Sequence, residues 1–180
     1  MVPKQDLVVI QELAARVAEL AALPVQEEKR TLWRKHNALN SQRPMVMIDQ
    51  VCWNEIPDDS LRVRCTDPDC IEYETYLRRI LYQWNHFRVD MVVEPYIEVH
   101  KAVINTRVGI TTQQHTVSTD PTNSVVGRMF ENQFQTEDDL EKIKMPHVSH
   151  DLAETERRVA VAHELFGGLL EPRLMGPEVI

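Results

Sequence analysis

Glycine is scarce in this chain, with five in 180 residues, and none falls in a GxGxxG, P-loop or GxSxG pattern. A phosphate-cradling loop and a nucleophile elbow are both disfavoured, because each needs glycine at fixed positions. Basic residues are also outnumbered: 20 Lys and Arg against 28 Asp and Glu give a formal net charge of −8. No basic stripe is present to neutralise phosphates, and anionic lipid would be repelled, so neither nucleic acid nor a membrane surface is expected as a partner. The three cysteines, Cys52, Cys65 and Cys70, are an odd number without CxxC spacing. That argues against a disulfide framework and for inert thiols in a reducing, cytoplasmic setting, with Cys52 the least ordinary because it follows a strand-like run. No apolar stretch approaches the ~20 residues of a membrane span. Residues 1–6 lack the basic-then-apolar pattern of a signal peptide. The expectation is a soluble protein.

What is present is a globular balance, 43% hydrophobic and 27% charged, which is too apolar for intrinsic disorder. Residues 5–23 place Leu7, Ile10, Leu13, Ala14, Val17, Leu20 and Ala21 at three- and four-residue spacing before Pro24, which predicts an amphipathic helix. A second helix is expected over 25–39, with Leu32, His36 and Leu39 near one face and Glu27, Glu28, Lys29 and Arg30 towards solvent. The short apolar run Pro44–Asp49 suits a buried strand ending in a carboxylate. Asp67-Pro68-Asp69 opens a helix to about residue 87, and Asp90–Glu94 repeats the strand-then-carboxylate pattern, so a βαβ unit is predicted. Beyond it lie β-rich segments at 96–106, 110–118 and 125–134, the last two reading as a hairpin around turn residues Thr119–Ser124. A short helix capped at Thr136, a helix from Asp151 to Phe166 and a third parallel strand at Leu170–Met175 complete the pattern.

The order of motifs resembles the N-terminal half of the uroporphyrinogen decarboxylase superfamily, which includes corrinoid-dependent methyltransferases. The resemblance rests on RPMVMIDQV from Arg43, HFRVDMVVEP from His86, ENQFQTEDDLEKIKMP from Glu131, and the strand Glu171–Met175 followed by Gly176-Pro177. Trp33–Asn37 with Asp90–Tyr96 looks closer to a decarboxylase-like branch found beside methyltransferase systems than to the haem-pathway enzymes. The resemblance implies an α/β fold, specifically part of a (β/α)8 TIM barrel with N-terminal helices at 1–42 and an inserted β-hairpin in the barrel portion at 43–180. A complete barrel needs about 250 residues. The chain therefore reads as a portion of such a barrel, incomplete alone, closed by dimerisation or by a complementing polypeptide.

In the decarboxylase, a basic loop after the first strand holds the porphyrinogen carboxylates. Here the ungapped match places Asp49 and Trp53 where its two arginines lie, so true porphyrinogen decarboxylation is disfavoured. The family's pyrrole-binding aspartate falls on Ile97 without a gap and on Glu98 with a one-residue shift, while Glu94 lies just upstream. Read from the residues alone, Glu94, Glu98 and His100 are of one parity and would share a strand face, unless Pro95 breaks it. Asp49, Glu94, Glu98 and His100 are the candidate catalytic residues, and Gln50, Trp53 and Tyr96 the candidate substrate contacts. The plainer alternative is that the glutamates pair with Lys101 or Arg107. The methyltransferase branch uses zinc to activate a thiol acceptor, through ligands on later strands. No cofactor is assigned to this chain, and the HxxH at His147–His150 reads as capping rather than metal binding. The expected substrate is a small molecule or a corrinoid protein. The rival reading is a non-catalytic small α+β dimer or partner-binding module.

Overall fold

A computed structural model describes residues 2–87, 89–118 and 126–176. The expected turn at Thr119–Ser124, Arg88 of the second motif and Pro177 lie outside the described residues. The fold mixes helix and sheet. Helix α1 (Lys4–Ala21) turns at Leu23-Pro24 into α2 (Pro24–Asn37), and α3 (Pro68–His86), β1 (Tyr96–His100), β2 (Val103–Asn105), β3 (Gln114–Val117), β4 (Gly127–Phe130), β5 (Val148–His150), α4 (Leu152–Phe166) and β6 (Glu171–Met175) follow.

The helix starts form where the sequence supplies caps. The Asp67 carboxylate accepts from the amides of Asp69 and Cys70 at 3.0 and 3.3 Å, with Pro68 at the first helical position. Asp151 accepts from the Glu154 amide at 3.0 Å. Helix α1 buries Ile10, Leu13, Ala14, Val17 and Ala21 against Leu77 and Leu81 of α3, Ile97 and Val99 of β1, and Ala162, Leu165 and Phe166 of α4. Tyr73 meets Phe166 edge-on at 4.9 Å.

Buried carboxylates hold an extended segment in place. Glu74 is fully buried and accepts from the Arg64 and Cys65 amides at 2.8 and 2.7 Å; Asp6 accepts from the Thr66 and Asp67 amides, both at 2.8 Å. Four consecutive backbone N–H groups thus end on two carboxylates. Arg78 pairs with Glu74 at 2.6 Å and donates to the Ser60 carbonyl, tying in the short 3-10 turn at Asp59–Leu61.

β1 and β6 pair in parallel, Tyr96 opposite Glu171 through His100 opposite Met175, with α4 as the crossover. The expected parallel connection is present there, not at the predicted place. Residues 44–49 and 90–94 are not strands. Their apolar side chains suggest buried strands, but their backbone groups are engaged otherwise. Asp90 and Val46 exchange bonds, Asp90 N to Val46 O at 2.8 Å and Val46 N to Asp90 Oδ2 at 3.0 Å. One face of α2 then takes the rest: Gln26 accepts from Val93 N, Lys29 donates to Val89 O, and Trp33 Nε1 donates to Asp90 O at 2.7 Å. Lys29 and Arg30 therefore face the protein rather than solvent, and Leu39 is 96% exposed rather than part of a packed face. The predicted βαβ unit around α3 does not form, and the described residues contain no parallel sheet wider than two strands.

Between β1 and α4 the chain makes an excursion. Its stem is the antiparallel pair β2–β5, and its arm carries the expected hairpin β3–β4, Gln114 opposite Phe130. The expected short helix at 136–144 is a 3-10 segment, Glu137–Lys142, whose start is closed by Asp139 accepting from the Gln135 and Thr136 amides.

Replacing Glu74 by Ala leaves two amides and the Arg78 guanidinium without their shared acceptor, and should cost about 3–5 kcal/mol in urea unfolding. Stability should also fall in acid. Bonds from the Asp67 and Thr66 amides outweigh burial and hold Asp6 below the ordinary carboxylate range. Burial pushes Glu74 up, but the Cys65 and Arg64 amides more than reverse it. Arg43 and the Val46 amide lower Asp90 to about 2. Each carboxylate ionises more readily folded than unfolded, so its contribution is complete above the unfolded value and drains as pH falls through the folded one. The unfolding free energy should be level from pH 7 to about 5 and decline below about 4; a value at pH 3 equal to that at pH 7 would contradict the network.

Candidate functional site

Strand β1 sorts its side chains by parity. Ile97 and Val99 are buried against the helices, while Tyr96, Glu98 and His100 occupy the other, open face. The sequence-predicted residues Glu98 and His100 are thus brought together, with Glu98 Oε2 3.7 Å from His100 Nε2. At the carboxyl end of the strand pair, His100 Nδ1 lies 3.1 Å from the Gly176 carbonyl just beyond β6. A carbonyl only accepts, so Nδ1 carries the hydrogen and the neutral ring presents the lone pair of Nε2 towards Glu98. This is a base beside a carboxylate that stabilises the imidazolium once a proton is taken.

Both residues line a cleft of about 520 Å³ between β1 and α3, where the opposite wall is Glu72, Tyr73, Thr75, Tyr76 and Arg79. An adjoining cleft of about 270 Å³ shares Tyr76, Ile97 and Glu98 and extends past Glu94, Tyr96, Gln83 and Met47. Partial burial raises the Tyr76 phenol above its ordinary value, reinforced by Glu98, Tyr96 and Glu94. Tyr76 is therefore a protonated hydrogen-bond donor at neutral pH.

The remaining predicted residues separate. Glu94 precedes β1 and is held by Arg30, whose Nη2 and Nε lie 3.0 and 3.2 Å from Oε2; neither Lys101 nor Arg107 is its partner. Tyr96 lies under the Arg173 guanidinium, 4.1 Å from the ring centroid. Asp49 and Gln50 are exposed and line neither cleft. Trp53 opens a 3-10 turn, meets Tyr82 edge-on at 5.9 Å and carries the Arg79 guanidinium 5.1 Å above its ring. It thereby reaches the larger cleft through Arg79.

Comparison with known families, curated proteins and solved structures gives one result. No family model, curated protein or solved structure matches this chain.

Among the described residues no three His, Cys, Asp or Glu side chains converge to hold a metal ion. His150 of the HxxH bonds Thr155 Oγ1 at 2.9 Å. Burial pushes the Cys70 thiol up to about 12 and the Cys65 thiol higher still, so neither is a thiolate at neutral pH; Cys52 is exposed. No helix among the described residues is long and apolar enough to cross a membrane.

Sequence reasoning missed the α3 wall. Glu72, Tyr76 and Arg79 recur at four and three residues, one helical face, and that spacing is a signal visible in the sequence. Nitrogen-15 NMR of the His100 ring in its neutral form should show a protonated Nδ1 and an unprotonated Nε2; the opposite assignment would mean that the Gly176 contact does not set the tautomer.

Proposed function

We propose that these residues form part of a uroporphyrinogen decarboxylase-like α/β-barrel protein of the cytoplasm, in the branch related to corrinoid-dependent methyl transfer. On this reading a small molecule binds in the cleft at the carboxyl end of β1, where His100 accepts a proton and Glu98 stabilises the charge. The observation that carries it is the pairing of these two side chains on the open face of a parallel strand, at the end where α/β proteins place their ligands. The exposed carboxylate of Asp49, in place of a basic loop, argues against a porphyrinogen bearing many acidic arms.

The rival reading, a non-catalytic dimer or partner-binding module, draws on the β3–β4 arm. Every residue of the strands β3 and β4 is exposed, including Val117, Met129 and Phe130, and an isolated two-stranded hairpin is marginal in water.

The deciding experiment uses the purified protein in two assays. Coproporphyrin, a stable tetracarboxylate tetrapyrrole, should show no saturable binding. Loss of methylcobalamin absorbance with a small thiol as acceptor should slow about a hundredfold in His100→Gln, the scale of a lost proton acceptor. Saturable porphyrin binding would return the protein to the decarboxylase class, and a wild-type rate no greater than background would mean that these residues alone do not carry methyl transfer.

A further inference from the structure

The larger cleft holds charges of both signs that do not neutralise each other. Arg79 makes no ion pair among the described residues; its guanidinium lies over the face of Trp53, 5.1 Å from the ring centroid. A guanidinium held over a ring by its charge leaves its planar fork of N–H donors available to a carboxylate in two places. The preceding arginine makes the contrast, since Arg78 is buried and spent on Glu74 and the Ser60 carbonyl. Across the cleft, Glu98 has no Lys or Arg within ion-pair distance among the described residues. The cation opposite it in register, Arg173, is turned to Glu171 at 2.8 Å and to the Tyr96 ring. Arg79 and Glu98 therefore face one cavity from opposite walls, farther apart than an ion pair, with the Tyr76 phenol and His100 Nε2 beside Glu98.

That arrangement selects by charge. An anion alone would gain Arg79 but meet Glu98 and Glu72; a cation alone would gain Glu98 but meet Arg79. A ligand with both groups satisfies both walls, while the rings of Tyr73 and Tyr76 suit an apolar body between them. We propose that the cleft between α3 and β1 binds a small amino-carboxylate, its carboxylate held by Arg79 and its ammonium by Glu98. The proposal rests on the reading of this cleft as the ligand site, and it moves the cation that fixes a substrate carboxylate from the loop after residue 49 to helix α3. It also places the ligand nitrogen next to His100, the group positioned to take a proton from it.

The test is a titration followed by NMR of the His100 ring and by calorimetry, using phenylalanine, 3-phenylpropionate and phenethylamine as probes. Phenylalanine should bind saturably and shift the His100 signals, with each half-ligand at least about tenfold weaker, the scale of one charge-assisted hydrogen bond. Arg79→Gln should weaken phenylalanine about tenfold while leaving phenethylamine unchanged or tighter, and Glu98→Gln should do the same to phenylalanine while sparing 3-phenylpropionate. Neither side chain is buried, and far-ultraviolet circular dichroism and thermal unfolding of both variants should match the parent. If the three probes bind alike, or Arg79→Gln changes nothing, the amino-carboxylate assignment fails while the cleft survives as a ligand site. If no probe shifts His100, the reading of the cleft as the ligand site fails with it.

Discussion

Two buried carboxylates determine how the N-terminal half of this protein is assembled. A carboxylate with no water around it is tolerated only when nearly all its acceptor positions are filled, and Asp6 and Glu74 are filled by consecutive amides of residues 64–67 together with Arg78. The requirement works in both directions. The extended segment gains partners for N–H groups that no strand neighbour supplies, and α1 and α3, which carry the two acids, are held in one relative register. The Asp67 cap follows directly, because the residue that ends the bridged segment starts α3. Everything on the far wall of the cleft, from Glu72 to Arg79, inherits its position from that start.

The near wall is positioned by different means. One face of α2, Gln26, Lys29, Arg30 and Trp33, bonds to residues 89–94 through their backbone and through Glu94. Those residues therefore arrive at β1 already fixed, and Pro95, which has no N–H, offers its carbonyl to the Glu171 amide to begin the pairing with β6. Thr155 fixes the other end of β1 by accepting from the Ala102 amide and donating to the Asp151 carbonyl. A five-residue strand with a strand partner on one edge is thus anchored at both ends, which keeps Glu98 and His100 in a fixed relation.

Much of this was legible before the structure. The four long helices follow from apolar spacing, from Pro24 and Pro68, and from Asp67 and Asp151 as caps, all local signals. The hairpin at 114–130 and the strand at 171–175 were visible as short β-rich runs, and parity alone put Glu98 with His100. The strands expected at 44–49 and 90–94 failed because an apolar run states only that side chains prefer burial; it does not say which groups satisfy the backbone. Side chains of α2, distant in sequence, made that choice, and the period of α2 gave no hint that Lys29 and Arg30 turn inwards. Glu94 shared the parity of Glu98 on paper but lies before the strand and is held by Arg30. The α3 wall escaped notice because Tyr76 and Arg79 resemble ordinary surface residues until β1 is placed opposite them.

The excursion between β1 and α4 leaves and returns through one gate, with Val103 beside His150. For the rest of the fold, the 42 positions from 106 to 147 therefore behave as a single closed loop whose ends are already joined. Length can be gained or lost in that loop at little entropic cost, since closure depends only on the logarithm of its size. The arm can therefore lengthen or shorten without shifting the strand that bears Glu98 and His100, because the β2–β5 pairing closes it off from the core.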